Sequence, residues 1–216
     1  MSDQRTPDWF AARVGKVTAS KIADVCAKTR TGYGASRANY MTDLMIERLT
    51  GRPTPYYRNQ AMQWGTDQEA SARSLYEQVT LDEVTEVGLI DHPSINMTAA
   101  SPDGLIGDDG LVEIKCPASA THAQFVIDGK IPDKYIKQMM WQLECTGRQW
   151  CDFVSYDPRF HPDFDADNPL VPLFSKHTLV IKRIERDDDA LAEIRAEVVK
   201  FLAELDDMVQ SFREAA

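Results

Sequence analysis

A chain of 216 residues with 43% hydrophobic content has the length of one domain and enough apolar side chains to bury a real core, as expected of a soluble globular protein. No apolar run approaches a bilayer span and the first residues lack the basic-then-apolar order of a signal peptide, so the expected setting is the cytoplasm, with no membrane partner. The formal net charge of −10 excludes a protein that coats duplex DNA over its outer surface, because phosphate contacts supply most of such affinity, yet it leaves room for an enzyme whose basic groups line a groove.

The acid is uneven. Residues 185–216 are rich in Asp and Glu, whereas the stretch from Arg5 to Arg52 is net basic. The four cysteines, Cys26, Cys116, Cys145 and Cys151, form no Cys-x-x-Cys pair and share no zinc-like spacing with the histidines, so they read as free thiols in the interior.

In chain order, residues 7–13 and 19–27 read as two short helices joined at Gly15-Lys16-Val17-Thr18. Thr18 or Ser20 is a natural N-cap for the second, and free backbone N–H groups at such an end, with Arg13 and Lys16 just upstream, would make an anion pocket. The same residues equally suit a plain cap beside a surface arginine. Arg30 sits in the following loop, Thr29-Arg30-Thr31-Gly32. A helix over 36–50 ends at Gly51, before the Pro53-Thr54-Pro55 break. Tyr56 and Tyr57 could stack on bases, but no role is assigned to them.

The next helix, about 59–78, carries Ala61, Trp64, Ala70, Leu75 and Tyr76 among its apolar positions, with Met62 in its first turn and Glu69 beside Ala70. Residues 81–100 turn to strands, with Glu83-Val84-Thr85-Glu86-Val87 alternating. They lead into SPDGLIGDDGLVEIKCP, residues 101–117. The turn Gly107-Asp108-Asp109-Gly110 separates Leu105-Ile106 from Leu111-Val112-Glu113-Ile114-Lys115, which is how a β-hairpin is written. Glu113 and Lys115 then share one strand face, and Asp103 can reach the same spot.

Helices follow at about 119–128 and 133–146. In the second, Tyr135 and Gln138 are three apart and share a face next to Met139, Met140 and Trp141, and Gln142 shows that such amides recur there. Strands resume at about 150–156 and 177–185, around an irregular, proline-rich stretch at 157–176. Asp163-x-Asp165-x-Asp167 begins like a calcium loop. Asn168 replaces its glycine and Phe174 its bidentate glutamate, so calcium binding is rejected. The last helix opens on Asp187-Asp188-Asp189, favourable against its dipole, and carries the stripe Leu191, Ile194, Val198, Leu202, Leu205, Val209. That stripe suits core or subunit packing, or a docking face. No repeats or low-complexity segments appear.

Two carboxylates and one ammonium converging at Asp103, Glu113 and Lys115 suit a hard divalent cation such as Mg²⁺. Such an ion activates water and polarises a phosphoryl oxygen, while the lysine orients the attacking water or stabilises developing charge, a recipe for phosphodiester hydrolysis. Glu-x-Lys alone decides nothing, because a chain so rich in charge holds about one by chance, and Pro102-Asp103-Gly104 is equally an ordinary turn.

The joint pattern carries more. Pro102-Asp103, the hairpin and Glu113-Ile114-Lys115 resemble the PD-(D/E)XK nuclease signature, and SPDGL, EIKCP, SYDPR and WFAARVGKVTAS together resemble the phage lambda exonuclease family and its YqaJ-type viral recombinase relatives. The resemblance covers nearly the whole chain in order. It implies a single α/β nuclease domain over 1–216, with a central mixed sheet flanked by helices. It also implies a Mg²⁺-dependent enzyme, with Mn²⁺ a possible substitute, that digests one strand of duplex DNA from 5′-phosphorylated ends and leaves a 3′ single strand for recombination.

By the same resemblance Asp103, Glu113 and the Ile114 carbonyl hold the metal, Lys115 assists the attacking water, and Glu69 and Gln138 complete the site. Arg13 and Ser20 hold the terminal 5′-phosphate, Arg30 reaches into the minor groove, Met62 wedges the last bases apart, and Tyr135 matches a family tyrosine. A homotrimeric ring around DNA, a single-strand annealing partner and a phage or prophage origin in the bacterial cytoplasm are implied as well. The clustered C-terminal cysteines that hold an iron–sulfur cluster in some relatives are missing here, and the 157–176 loop is longer than its family counterpart. The alternatives are a sequence-specific endonuclease of the same superfamily and a non-catalytic DNA-binding scaffold.

Overall fold

The computed structural model describes residues 4–55 and 59–215. Seven α-helices are present among them, α1 Pro7–Arg13, α2 Ile22–Val25, α3 Ala35–Thr50, α4 Gln60–Thr80, α5 Ser119–Asp128, α6 Asp133–Thr146 and α7 Asp188–Glu214. The strands are β1 Val17–Thr18, β2 Lys28–Thr29, β3 Gly32–Tyr33, β4 Val84–Thr85, β5 Ile90–Asp91, β6 Thr98–Ala100, β7 Gly104–Ile106, β8 Gly110–Lys115, β9 Trp150–Tyr156 and β10 Leu179–Glu185.

The main sheet has the order β10-β9-β8-β7-β4 and is mixed, with β8 and β9 parallel and the other neighbours antiparallel. A smaller sheet, β1-β6-β5, and the β2-β3 hairpin stand beside it. This is the mixed α/β architecture expected, with the site hairpin as β7-β8. Its register pairs Gly104 with Val112 and Ile106 with Gly110. Gly110 is required there, since a Cβ would lie 2.1 Å from Trp150 on the neighbouring strand.

Side-chain alternation along β8 sorts its residues between two cores. Val112 and Ile114 pack with Ala72, Leu75 and Tyr76 of α4, whereas Leu111 faces the core formed with α6 and α7. Glu113 and Lys115 fall on the α6 side with Leu111, which is why two charges end up under a helix. That core includes Leu191, Ile194, Val198, Phe201, Leu202, Leu205 and Val209 of α7, each burial contributing roughly 1.5–3 kcal/mol. The C-terminal stripe is therefore core packing. Asp187 caps α7 by accepting from the Ala190 N–H at 3.0 Å.

Three local readings change. Residues 19–27 are a 3-10 turn, Ala19–Lys21, followed by the four-residue α2. Thr18 occupies the cap position but makes no side-chain cap bond, and instead accepts from Arg13 Nη2 at 3.2 Å. The strand reading of 81–100 resolves into three short strands, because Pro93, Ser94 and the left-handed Met97 interrupt it. Tyr56 and Tyr57 lie outside the described residues.

Candidate active site

Asp103 immediately precedes β7, and its Oδ2 accepts the Ile114 N–H of β8 at 2.7 Å, so the hairpin itself fixes the carboxylate over the second strand. Glu113 is 1% exposed. Its Oε1 accepts from Lys115 Nζ and from Gln138 Nε2 at 2.6 Å, and its Oε2 accepts from Gln142 Nε2 at 2.6 Å. A buried carboxylate without such donors would be very costly.

The electrostatics follow from crowding. Burial, then the charge of Glu113, pushes the Asp103 carboxyl well above the usual carboxylate range, with Lys115 opposing. For Lys115 burial works against the charge, but Glu113 and Asp103 outweigh it and its pKa is raised, so the group stays an ammonium at neutral pH. Its Nζ also sits 5.2 Å from the centre of the Tyr135 ring. Tyr135 in turn packs on Phe153 of β9, ring centres 5.6 Å apart.

Glu69, from the middle of α4, contributes negative charge at Asp103. Its own oxygens are taken, Oε2 by Arg5 and Oε1 by Arg73 at 3.1 Å, and Arg73 reaches on to Glu86 at 2.7 Å. It stands beside the cluster inside an arginine clamp. Gln142, Arg5 and Arg73 were not singled out from the sequence. For Gln142 the signal was available, because it lies four residues after Gln138 and so on the same face of α6.

Two carboxylates crowded into one buried corner, and opposed by a single ammonium, match the hard-oxygen chemistry of Mg²⁺ or Mn²⁺. Among the described residues no trio of His, Cys, Asp or Glu side chains gathers around a point. The ion would be held by Asp103, Glu113 and the Ile114 carbonyl, with waters for the rest. The donor set fits the group.

A cavity of about 500 Å³ is lined by Arg5, Arg13, Lys16, Ser20, Lys21 and Met62, with Asp43 and Glu47 also in its wall, and Arg5 links it to Glu69. The Arg13 guanidinium lies 4.2 Å from the centre of the Trp9 ring, and Trp9 Nε1 donates to Ser101 Oγ at 3.1 Å, two residues before Asp103. The structure thus brings Arg13, Ser20 and Met62 into one cavity wall. Arg30 stands apart, exposed at the tip between β2 and β3 and outside that lining. A second cavity of about 330 Å³ is lined by Lys115, with Tyr135, Phe125 and Phe153 in its walls. Among the described residues no helix is long and apolar enough to cross a membrane.

Residues 8–149 match the YqaJ-like viral recombinase domain. An uncharacterized protein of Acanthamoeba polyphaga mimivirus is 29% identical over 195 residues, which is 82% of this chain and 34% of that protein, so the chain spans about a third of its relative's length. Two solved structures of LHK-Exo, an alkaline exonuclease from Laribacter hongkongensis, are 50% identical and cover 97% of each chain. Their TM-scores are 0.86 for the complex with dAMP and 0.85 for the second structure. A phage related exonuclease from Haemophilus somnus, 14% identical over 91% of this chain and 96% of that one, has a TM-score of 0.65 and is alike in fold.

Proposed function

Since this chain belongs to the YqaJ-like viral recombinase family, we propose that it is a Mg²⁺-dependent exonuclease that shortens one strand of duplex DNA from its 5′-phosphorylated end. The observation that carries the reading is the buried Glu113, ringed by Lys115, Gln138 and Gln142 and sharing its corner with Asp103, in a chain that also holds a cavity lined by Arg5, Arg13, Lys16 and Lys21. The 50% identity to an alkaline exonuclease along 97% of both chains supports the exonuclease part.

In this reading Asp103, Glu113 and the Ile114 carbonyl hold the ion, which supplies Lewis acidity toward the phosphoryl oxygens and acidifies water. Arg13 and Ser20 bind the terminal phosphate, and Arg13 is held flat against Trp9 for that purpose. Water attacks the phosphorus of the next linkage. Its oxygen forms the new P–O bond while the bond to the 3′-oxygen of the terminal nucleotide breaks, and that 3′-oxygen takes up a proton. Lys115, kept charged by its neighbours, offsets the negative charge that builds on the phosphoryl group. Gln138 and Gln142 fix Glu113 and add no charge. Met62, 36% exposed in the first turn of α4, is placed in the cavity wall where an apolar side chain can press on the last base pair.

The single most informative experiment compares linear 5′-phosphorylated duplex with covalently closed circles, with Mg²⁺ and with chelator. Release of mononucleotides from linear DNA alone, and only with the metal, is the expected result. Cutting of the closed circle would replace this reading with an endonuclease, and no metal-dependent release from either substrate would leave a DNA-binding scaffold. Family resemblance adds a homotrimeric ring and a single-strand annealing partner to the proposal.

A further inference from the structure

The N-terminal segment is tied down on both sides of Arg5. Before it, the Gln4 amide donates to the carbonyls of Val87 at 2.9 Å and Pro102 at 2.8 Å, the second being the residue just before Asp103. After it, Thr6 caps α1 and Trp9 reaches Ser101. Between these ties Arg5 takes a left-handed backbone conformation, φ 66°, which a side chain bearing a Cβ rarely adopts. From that turn its guanidinium reaches Glu69.

Arg5 is not the sole partner of Glu69, because Arg73, mostly buried and shared with Glu86, holds its other oxygen. Arg5 by contrast has a side chain 37% exposed and forms part of the wall of the basic cavity. It shares a cavity wall with Arg13 and Ser20 and pairs with Glu69, and its guanidinium feels the charge of Asp103, so it connects the two parts of the site. A guanidinium offers five donors in a planar fork suited to phosphate, and the pairing with Glu69 engages Nη2.

We propose that Arg5 is a catalytic residue of this site that grips a non-bridging oxygen of the scissile phosphodiester, with Glu69 aiming its guanidinium from behind. The assignment rests on the exonuclease reading above and deepens it by adding a substrate contact from the N-terminal segment. The strand entering from the phosphate cavity must pass this junction to reach Asp103 and Glu113. A cation fixed there meets the phosphoryl group as its charge grows. The strained turn and the double tie of Gln4 hold that cation in place before substrate arrives.

The test measures mononucleotide release from linear 5′-phosphorylated duplex at saturating Mg²⁺ for wild type, Arg5→Gln and Arg5→Lys. A matched set carries each phosphorothioate diastereomer at the first linkage. The expected result is a kcat lower by about 100-fold in Arg5→Gln, partial recovery in Arg5→Lys, and a melting temperature and KM for DNA ends that move little. One diastereomer should slow wild type while slowing Arg5→Gln no further. Wild-type kcat in Arg5→Gln, or a thio effect that the substitution leaves unchanged, overturns the assignment alone. Equal losses in both variants together with a lowered melting temperature also overturn it and make Arg5 a structural strap for Glu69. Wild-type protein that releases nothing from linear duplex overturns the exonuclease reading, and this assignment with it.

Discussion

Glu113 gathers three donors from two elements, Lys115 from its own strand and Gln138 and Gln142 from α6. The Gln142 amide is oriented by this demand, since its Oε1 has no hydrogen-bond partner among the described residues while its Nε2 serves Glu113. Gln142→Leu leaves one buried carboxylate oxygen unpaired, at a cost of about 1–3 kcal/mol. It should also lower activity or metal affinity about 10–100-fold, as loss of a group that orients a metal ligand does. A Mg²⁺ titration of nuclease activity beside a urea unfolding curve checks both. Lys115→Ala should remove cleavage, by about 100-fold or more, and leave duplex-end binding largely intact. Near-normal turnover by that variant would refute the role given to the ammonium. Asp103, Glu113 and Lys115 were legible in the sequence because strand alternation is a strict period of two. Arg5 and Arg73 were not, because their meeting at Glu69 depends on how the N-terminal segment and α4 pack, which no local spacing encodes.

At the scale of elements, α6 is clasped to the strand-helix junction that opens α7. Glu144 accepts from Arg195 Nε at 2.9 Å and Arg186 Nη2 at 2.6 Å, while Arg186 Nη1 also donates to the Leu143 carbonyl at 3.0 Å. Burial alone would raise the Glu144 carboxyl, but the two arginines outweigh it and hold it below the ordinary carboxylate range. A depressed folded pKa means stability that is present above the unfolded value, about 4.3, and is lost as pH falls through the folded value. Glu144→Gln should therefore destabilise at neutral pH by about 1–3 kcal/mol, discounted for the exposure of Arg195. The gap to wild type should close in thermal melts taken at successively lower pH below about 4. The elements themselves were mostly readable. Helices over 7–13, 119–128 and 133–146 and the strand over 150–156 match α1, α5, α6 and β9. The helical reading of 19–27 and the strand reading of 81–100 match in type but not in extent, because Ala19–Val25 packs against α6 and the strands are cut short where they pair with β7 and β1.

The proposed phosphate selectivity belongs to the α1 element as well. Arg13 leaves the last turn of α1, stacks on Trp9 of the same helix and reaches Thr18 of β1. Arg13→Ala should reduce activity on 5′-phosphorylated ends more than on 5′-hydroxyl ends. Equal losses on the two substrates would remove the phosphate pocket.

Over the whole molecule, the acidic C-terminal helix and the basic N-terminal third meet in space. Glu197 pairs with Lys28 at 2.6 Å, Glu204 with Arg37 at 2.6 Å, and Asp206 with Arg48. Part of the basic surplus read from the sequence is therefore paired with that helix, and the chain keeps its net charge of −10. On the proposed function, a chain so charged would meet DNA through a concentrated positive lining. The proposed ring would gather such a lining, and light scattering on purified protein should then return a mass of three 24.3 kDa chains. A monomer at working concentration would remove the ring from the proposal. Composition could not reveal this arrangement, since it sums charges without locating them.

The indole of Trp9 touches both halves of the site, with the Arg13 guanidinium against its face and Ser101 on its ring nitrogen. A flat aromatic plate has no internal hinge, so in the proposed exonuclease the span from where a strand end would be seated to where it would be severed is a caliper locked at one setting. Fragments leaving the enzyme should then all have the same length, whichever base they carry.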